Sequence, residues 1–334
     1  MKVKPLLRSV KWAVYPLQAR GRALLPWGRV RGQMTFIMGC GRSGTTILGQ
    51  LLRRHRKVVY LNEPLHYWYA IDPRTDNLDF FGGKGRSWLE AADASEAAAR
   101  RLDHLFGQVQ RWTGAQRVVE KLPIHALRME WLDQLAPGAR FINIIRDGRA
   151  VVKSIQVIHA LGRYSVAGKP WLHQWWGVGN HKWQRLAREG AQRGLFPDAL
   201  AEIGGVHARD PYAMGAYEWL VSLRQMRESS HKMGLGPDRY REIRYERLLA
   251  EPEAILLEIE QMLGLGHDLE MMSGVHRLLR KRGQEQYSFS LPPKLHRAFV
   301  GMQQELGYSA EGIALQPLCQ HAAEEGGGGG ERPP

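Results

Sequence analysis

Residues 35–50 read TFIMGCGRSGTTILGQ, and the reading of this stretch decides the fold. Thr35, Phe36, Ile37 and Met38 suit a buried strand, a glycine-punctuated loop follows, and a helical pattern opens at Thr45 and Thr46. Glycines at 39, 41 and 44 let the backbone come close to an anion, while the first N–H groups of the following helix add donors and the positive end of a dipole. A strand, a phosphate loop and a helix in that order imply a phosphorylated or sulfated ligand. A plain strand-to-helix turn with a surface arginine is the competing reading.

From Gly39 to Gly44 the spacing matches the opening of a Walker A loop, but Thr45 stands where that loop carries its lysine. An ordinary nucleotide triphosphatase is therefore disfavoured. The cation lies inside the loop, at Arg42.

Working outward, the chain alternates short apolar runs with helical patterns. Val58 to Leu61 reads as a second strand, and Glu63, just past its end, is a candidate general base, since open α/β sheets place ligands at the carboxyl ends of their strands. Arg117 to Glu120 reads as a third strand leading into Lys121, Arg140 to Ile145 as a fourth, and Tyr240 to Tyr245 as a fifth. Helices are expected over Thr46 to His55, Ala91 to Gln110, Ile124 to Leu135 and Glu251 to Leu263. After the fourth strand comes RDGRAVVKS, in which Arg146 and Ser154 are eight residues apart. Ser154 then falls about two turns into the next helix, and the pair can clamp one phosphate. A salt bridge from Arg146 to Asp147 is the bland alternative.

The chain has 334 residues with 44% hydrophobic content, enough for a sizeable core, and Lys plus Arg exceed Asp plus Glu by 47 − 33 = 14. That balance argues for an anionic partner without naming it. Cys40 and Cys319 form no metal or disulfide framework. Residues 1–33 hold eight Lys or Arg and no acid, interleaved with Trp12, Tyr15, Leu24, Leu25 and Trp27. This arm lacks the apolar core of a signal peptide or membrane span; it suits either an anionic membrane surface or packing on its own domain. Between His159 and Leu235 the rhythm breaks, and Trp171, Trp175, Trp176, Trp183, Tyr212, Tyr217 and Trp219 gather among basic groups. Residues 159–235 read as a helical acceptor-binding insertion, with burial of each tryptophan in the core as the alternative. A basic run at Arg280, Lys281 and Arg282 suits either a solvated surface or late residues that come back over a nucleotide, and the glycine-rich tail 322–334 is expected to be disordered.

GRSGTTILGQLL, VVYLNEPLHYW, EKLPIHAL, IIRDGRAVVKS and RYERLLAEPEAILLEIEQMLGL together resemble the PAPS-dependent sulfotransferases, most nearly the bacterial and carbohydrate members, discontinuously from about Thr35 to Tyr308. The resemblance implies a single α/β domain over 34–310, with a central, mainly parallel, P-loop-like sheet of about five strands flanked by helices. It implies PAPS as sulfuryl donor and no metal. Gly41, Arg42, Ser43, Gly44, Thr45 and Thr46 would wrap the 5′-phosphosulfate. Arg146 and Ser154 would hold the 3′-phosphate, Tyr245 would lie near the adenine or a phosphate, and Ser288 or Ser290 would reach the cofactor. Arg42 would stabilise the sulfuryl oxygens, Lys121 would assist the leaving phosphate, and Glu63 would take the acceptor proton. The expected acceptor is a hydroxyl of a glycan or glycolipid. The expected setting is cytoplasmic, peripheral to the inner membrane face through residues 1–33, with no specific nucleic acid. A small-molecule P-loop kinase and a non-catalytic basic module binding nucleic acid or membrane are the competing functions.

Overall fold

The computed structural model describes residues 14–82, 85–162, 164–166, 169–172, 175–279 and 286–316. The basic run at Arg280, Lys281 and Arg282 and the tail 322–334 lie outside the described residues. In chain order the strands are β1 Thr35–Met38, β2 Val58–Asn62, β3 Arg117–Lys121, β4 Arg140–Ile145, β5 Tyr164–Val166, β6 Lys169–Leu172, β7 Tyr240–Arg244, β8 Phe289–Leu291 and β9 Ile313–Leu315. Five of them form one parallel sheet in the order β2-β3-β1-β4-β7. β1 is the middle strand, and the order reverses on either side of it. That is where open α/β sheets open a crevice for a ligand.

Alternation along the strands splits the core into two layers. Phe36, Met38, Val118 and Phe141 face one side, while Ile37, Val119, Ile142 and Ile144 face the other. The second face is covered by helices α2 Thr45–Leu52, α10 Tyr245–Ala250 and α11 Pro252–Leu263. The first is covered by α3 Leu65–Ile71, α4 Glu96–Thr113, α5 Met129–Leu135, α6 Gly148–Leu161 and α9 Pro211–Lys232. With both faces buried, the central strands are nearly continuous apolar runs, as the sequence shows for RFINII.

Three expected elements differ in detail. The helix expected over Ala91 to Gln110 is a 3₁₀ turn, Ala91–Asp93, followed by α4, which starts only after Ser95 because the Ser95 hydroxyl accepts from Ala98 N at 3.2 Å. The helix expected over Ile124 to Leu135 breaks at Arg128 into a 3₁₀ turn, Pro123–Leu127, and α5. Arg128 is fully buried, and its guanidinium donates to the carbonyls of Ser87, Arg86 and Thr75, so a tertiary anchor overrides the helical period. The segment expected to be a helical insertion opens with the antiparallel hairpin β5–β6 before α7 His181–Gln192, α8 Pro197–Glu202 and α9.

Upstream of β1, residues 14–23 form helix α1. Ala19 and Ala23 are buried, His104 Nδ1 lies 2.8 Å from the Ala23 carbonyl, and Gln108 Nε2 donates to the carbonyls of Arg22 and Leu25. At its start the Tyr15 ring stands 5.2 Å from that of His66 in α3. Burial, with help from Arg22, pulls His66 down to about 4 from an ordinary 6.5. A histidine held neutral in the fold loses ground once the unfolded chain begins to protonate. Stability carried by His66 is therefore complete above pH 6.5 and is lost as the pH falls toward 4. Thermal unfolding across that window should show a decline in Tm that is shallower in His66→Gln.

Candidate functional site

One edge of the sheet collects the chemistry. β1 runs into the loop 39–44, β2 stops just before Glu63, β3 ends on Lys121, β4 stops just before Arg146, and β7 just before Tyr245. Parallel strands put all their carboxyl ends together, so residues far apart in sequence become neighbours.

Lys121 is the link between them. Its register sets it beside Ile37 of β1 and Asn62 of β2. Its side chain, 1% exposed, donates from Nζ to Glu63 Oε1 at 2.6 Å and to Thr46 Oγ1 at 2.9 Å. A buried ammonium is costly unless paired and hydrogen-bonded, and here both requirements are met. Thus a lysine from a neighbouring strand reaches the first turn of the helix that follows the loop. Glu63 sits at φ 50°, the left-handed region uncommon for a non-glycine residue. Its N–H donates to the Lys121 carbonyl at 2.8 Å, and its own carbonyl accepts from Leu65 N at 2.8 Å, which hold that turn.

Gly44 caps α2 at φ 101° and without a side-chain cap. A Cβ there would come within 2.3 Å of the Tyr245 ring, and one at Gly41 within 2.5 Å of Trp175. The loop is therefore pressed between two aromatic walls, and glycine is the residue that allows the approach. Ser43 and Thr45 are buried within this turn.

Arg42, also at positive φ (75°), donates from Nε to Ser154 Oγ at 3.1 Å. Arg146 Nη1 donates to the Arg42 carbonyl at 3.1 Å, and its guanidinium lies 4.7 Å from the centre of the Tyr245 ring. Arg146 and Ser154 thus meet through Arg42. The alternative of an Arg146–Asp147 salt bridge is replaced by a different pairing: Asp147 binds Arg149 at 2.6 Å and also accepts from Gln303. Trp219 of α9 donates to the Arg146 carbonyl, Gln303 Oε1 accepts from Gly148 N, and Glu246 accepts from Asp147 N. Three separate elements therefore fasten the turn that carries Arg146. Beyond it opens a cavity of about 830 Å³ lined by Arg146, Arg149, Tyr245 and Ser288 among others. Ser290 lies in β8 instead. Two cations, an uncapped helix start and a cavity of this size suit the two charged ends of a phosphorylated nucleotide.

On the other side of the loop, Gly41 and Glu63 border a smaller pocket. Its walls are Leu65, Leu78, Leu122, Ile124, Leu127 and Trp175, with Lys182 and Glu218 as a polar patch. Glu218 accepts from both Trp175 and Trp176 indoles and pairs with Lys182 at 2.5 Å. Sequence reading missed Lys182, Glu218 and Arg149, because nothing local marks a charge as inward-facing. Of the tryptophans gathered in 159–235, Trp176, Trp183 and Trp219 are fully buried and belong to the core. Trp175 is the described tryptophan that lines the pocket.

A family model, described as the sulfotransferase family, matches residues 35–205. An omega-hydroxy-beta-dihydromenaquinone-9 sulfotransferase, Stf3, of Mycobacterium tuberculosis is 26% identical over 280 residues, covering 69% of this chain and 62% of the relative. The nodulation protein NoeE of Sinorhizobium fredii is 25% identical over 130 residues, 36% of this chain and 30% of that protein. The chain thus spans about three fifths of the length of the mycobacterial relative. Among solved structures, the sulfotransferase domain from the curacin biosynthetic pathway superposes with a TM-score of 0.51 at 19% identity, covering 84% of this chain and 99% of that one. The likeness is one of fold.

Replacing Lys121 with methionine removes the cation that joins Glu63 to Thr46. Urea unfolding should show a loss of about 3 kcal/mol, the usual cost of breaking a buried ion pair on one side. An unchanged midpoint would mean that the bridge contributes nothing to stability.

Proposed function

This chain belongs to the sulfotransferase family, and from that premise we propose that it transfers the sulfuryl group of PAPS to an acceptor hydroxyl, with Glu63 as general base. The observation that carries the reading is the single lysine, Lys121, bonded at once to Glu63 and to Thr46 of the phosphate loop. It ties a carboxylate that borders the smaller pocket to the glycine loop, whose Gly39 and Gly41 border the same pocket.

PAPS, when bound, supplies an activated sulfuryl group on a good leaving phosphate. The 41–46 loop, through its backbone and through Ser43, Thr45 and Thr46, would hold the 5′ end. Arg42 would neutralise charge developing on the sulfuryl oxygens, and Lys121 would steady the departing phosphate from its place beside Thr46. Arg146, with Ser154 drawn in by Arg42, would hold the 3′-phosphate, while Tyr245 and Ser288 would line the nucleoside cavity. Glu63 has one carboxylate oxygen held by Lys121 and borders the smaller pocket, where it would receive the acceptor proton. The catalytic unit would be residues 34–310, and the 159–235 segment contributes Trp175, Lys182 and Glu218 to the acceptor wall.

The walls of that pocket favour a hydroxyl carried on an apolar group over the glycan or glycolipid that the family resemblance implies. Leucines, an isoleucine and one indole make up most of the wall, and its Lys182 and Glu218 are already paired with each other, which leaves few partners for the many hydroxyls of a buried sugar. The name of the mycobacterial relative, which places the hydroxyl on a dihydromenaquinone, accords with this choice.

Calorimetric titration with PAP, the desulfated nucleotide, tests the donor site. PAP should bind far more tightly than ADP, and Arg146→Ala should remove the preference. Equal affinity for PAP and ADP in the folded wild type would sink the donor assignment and favour a P-loop kinase. In Glu63→Gln, kcat should fall by about 10²- to 10⁴-fold while PAP affinity is kept, as loss of a general base predicts. Near-wild-type turnover would remove Glu63 from the chemistry.

A further inference from the structure

Helix α1 has two apolar faces. One, with Ala19 and Ala23, is buried against α3 and α4. The other carries Val14 and Leu17, continued by Leu24 in the turn just after the helix, and Leu17 and Leu24 are 66% and 73% exposed. Where the chain leaves α1, Trp27 is 64% exposed, and across from it at the end of α4 Trp112 is 68% exposed. The two sides are tied together: Arg111 donates to the Trp27 carbonyl at 3.1 Å, and the Arg22 guanidinium lies 4.3 Å from the Trp112 ring centre. Four large apolar side chains on one fixed scaffold form a patch of the kind that marks an interaction surface, where scattered single residues would not.

The surroundings say what covers it. Arg20, Arg29, Arg31 and Arg111 are exposed around these side chains, and residues 14–33 contain no acid to oppose them. Tryptophans beside arginines, flanking an apolar helix face, match the layered polarity of a bilayer surface: acyl chains below, the headgroup level for the indoles, and anionic phosphates for the cations. No helix among the described residues is long and apolar enough to cross a membrane, so the helix would lie in the surface rather than span it.

We propose that α1, the turn after it and the C-terminal end of α4 form a docking face for an anionic lipid bilayer. The face adjoins the acceptor side of the molecule. Tyr15 of α1 stacks near His66, and the preceding residue, Leu65, lines the apolar pocket next to Glu63. Docking there brings the pocket to the surface from which an apolar acceptor would come; that last link rests on the sulfotransferase reading, whereas the docking itself does not.

The full chain is sedimented with vesicles of phosphatidylcholine alone and of phosphatidylcholine mixed with phosphatidylglycerol, at low and high salt. The expected result is binding to the phosphatidylglycerol vesicles, weakened by salt. The triple variant Leu17→Ser, Leu24→Ser, Trp27→Ser should bind at least about tenfold less, through loss of buried apolar area. Arg29→Glu with Arg31→Glu should weaken binding by about 25-fold or more, at roughly fivefold for each cation lost. PAP titration of each variant should be unchanged, since none of these side chains lines the proposed donor site. Failure to sediment, or sedimentation of the triple variant equal to wild type, overturns the proposal. So does a dimer in sedimentation velocity that the triple variant dissolves, which would give the face to a second copy of the chain. Loss of the PAP preference in wild type would instead strike the proposed function and leave the docking result standing.

Discussion

A lysine cannot be buried at the edge of a sheet unless its charge is answered, and Lys121, at 1% exposure, organises the structure around that requirement. Its partners come from opposite directions: Glu63 from the end of β2 and Thr46 from the first turn of α2. Satisfying the ammonium fixes three strand ends relative to one another, and holds Glu63 in a left-handed turn that it would not favour alone. The position of the carboxylate against the glycine loop is thus a consequence of neutralising a buried charge.

The second constraint lies at the turn after β4. Arg146 is carried on a short segment whose carbonyl, amides and neighbouring carboxylate are bonded by Trp219, Glu246 and Gln303, from α9, α10 and the C-terminal helix Pro293–Glu305. These contacts leave the guanidinium over the Tyr245 ring and against the Arg42 carbonyl. The segment 159–235 is therefore joined to the sheet's own site: α9 supplies Trp219 to the Arg146 turn and Glu218 to the pocket wall. Its aromatic richness mostly reflects core filling, since large aromatics bury more area per residue than any other side chains.

Much of the frame could be read in advance because its signals are local. β-rich apolar runs of four to six residues, separated by helical periods, identify the five strands of the parallel sheet, and their ends point to Glu63, Lys121, Arg146 and Tyr245. The signals fail where a distant partner wins. The period across Ile124 to Leu135 is helical, yet Arg128 leaves the helix to bind three carbonyls from residues 75–87. Asp147 adjoins Arg146 in the chain but pairs with Arg149, because the caps on the α6 start turn its carboxylate that way.

By itself the sequence determined the class of fold, the glycine-punctuated loop between β1 and α2, and the order in which charged residues reach the sheet edge, since strand period, glycine placement and strand-end position are all properties of neighbouring residues. Tertiary structure alone decided which of those charges meet, that Lys121 reaches Thr46 of the loop as well as Glu63, and that Lys182 and Glu218 turn inward to the pocket. It also decided that the pocket beside Glu63 is walled by leucines from α3, the segment between α3 and α4, the turn after β3 and α7. Those outcomes depend on crossovers that bring residues dozens of positions apart within hydrogen-bond reach, and no local pattern in the chain records them.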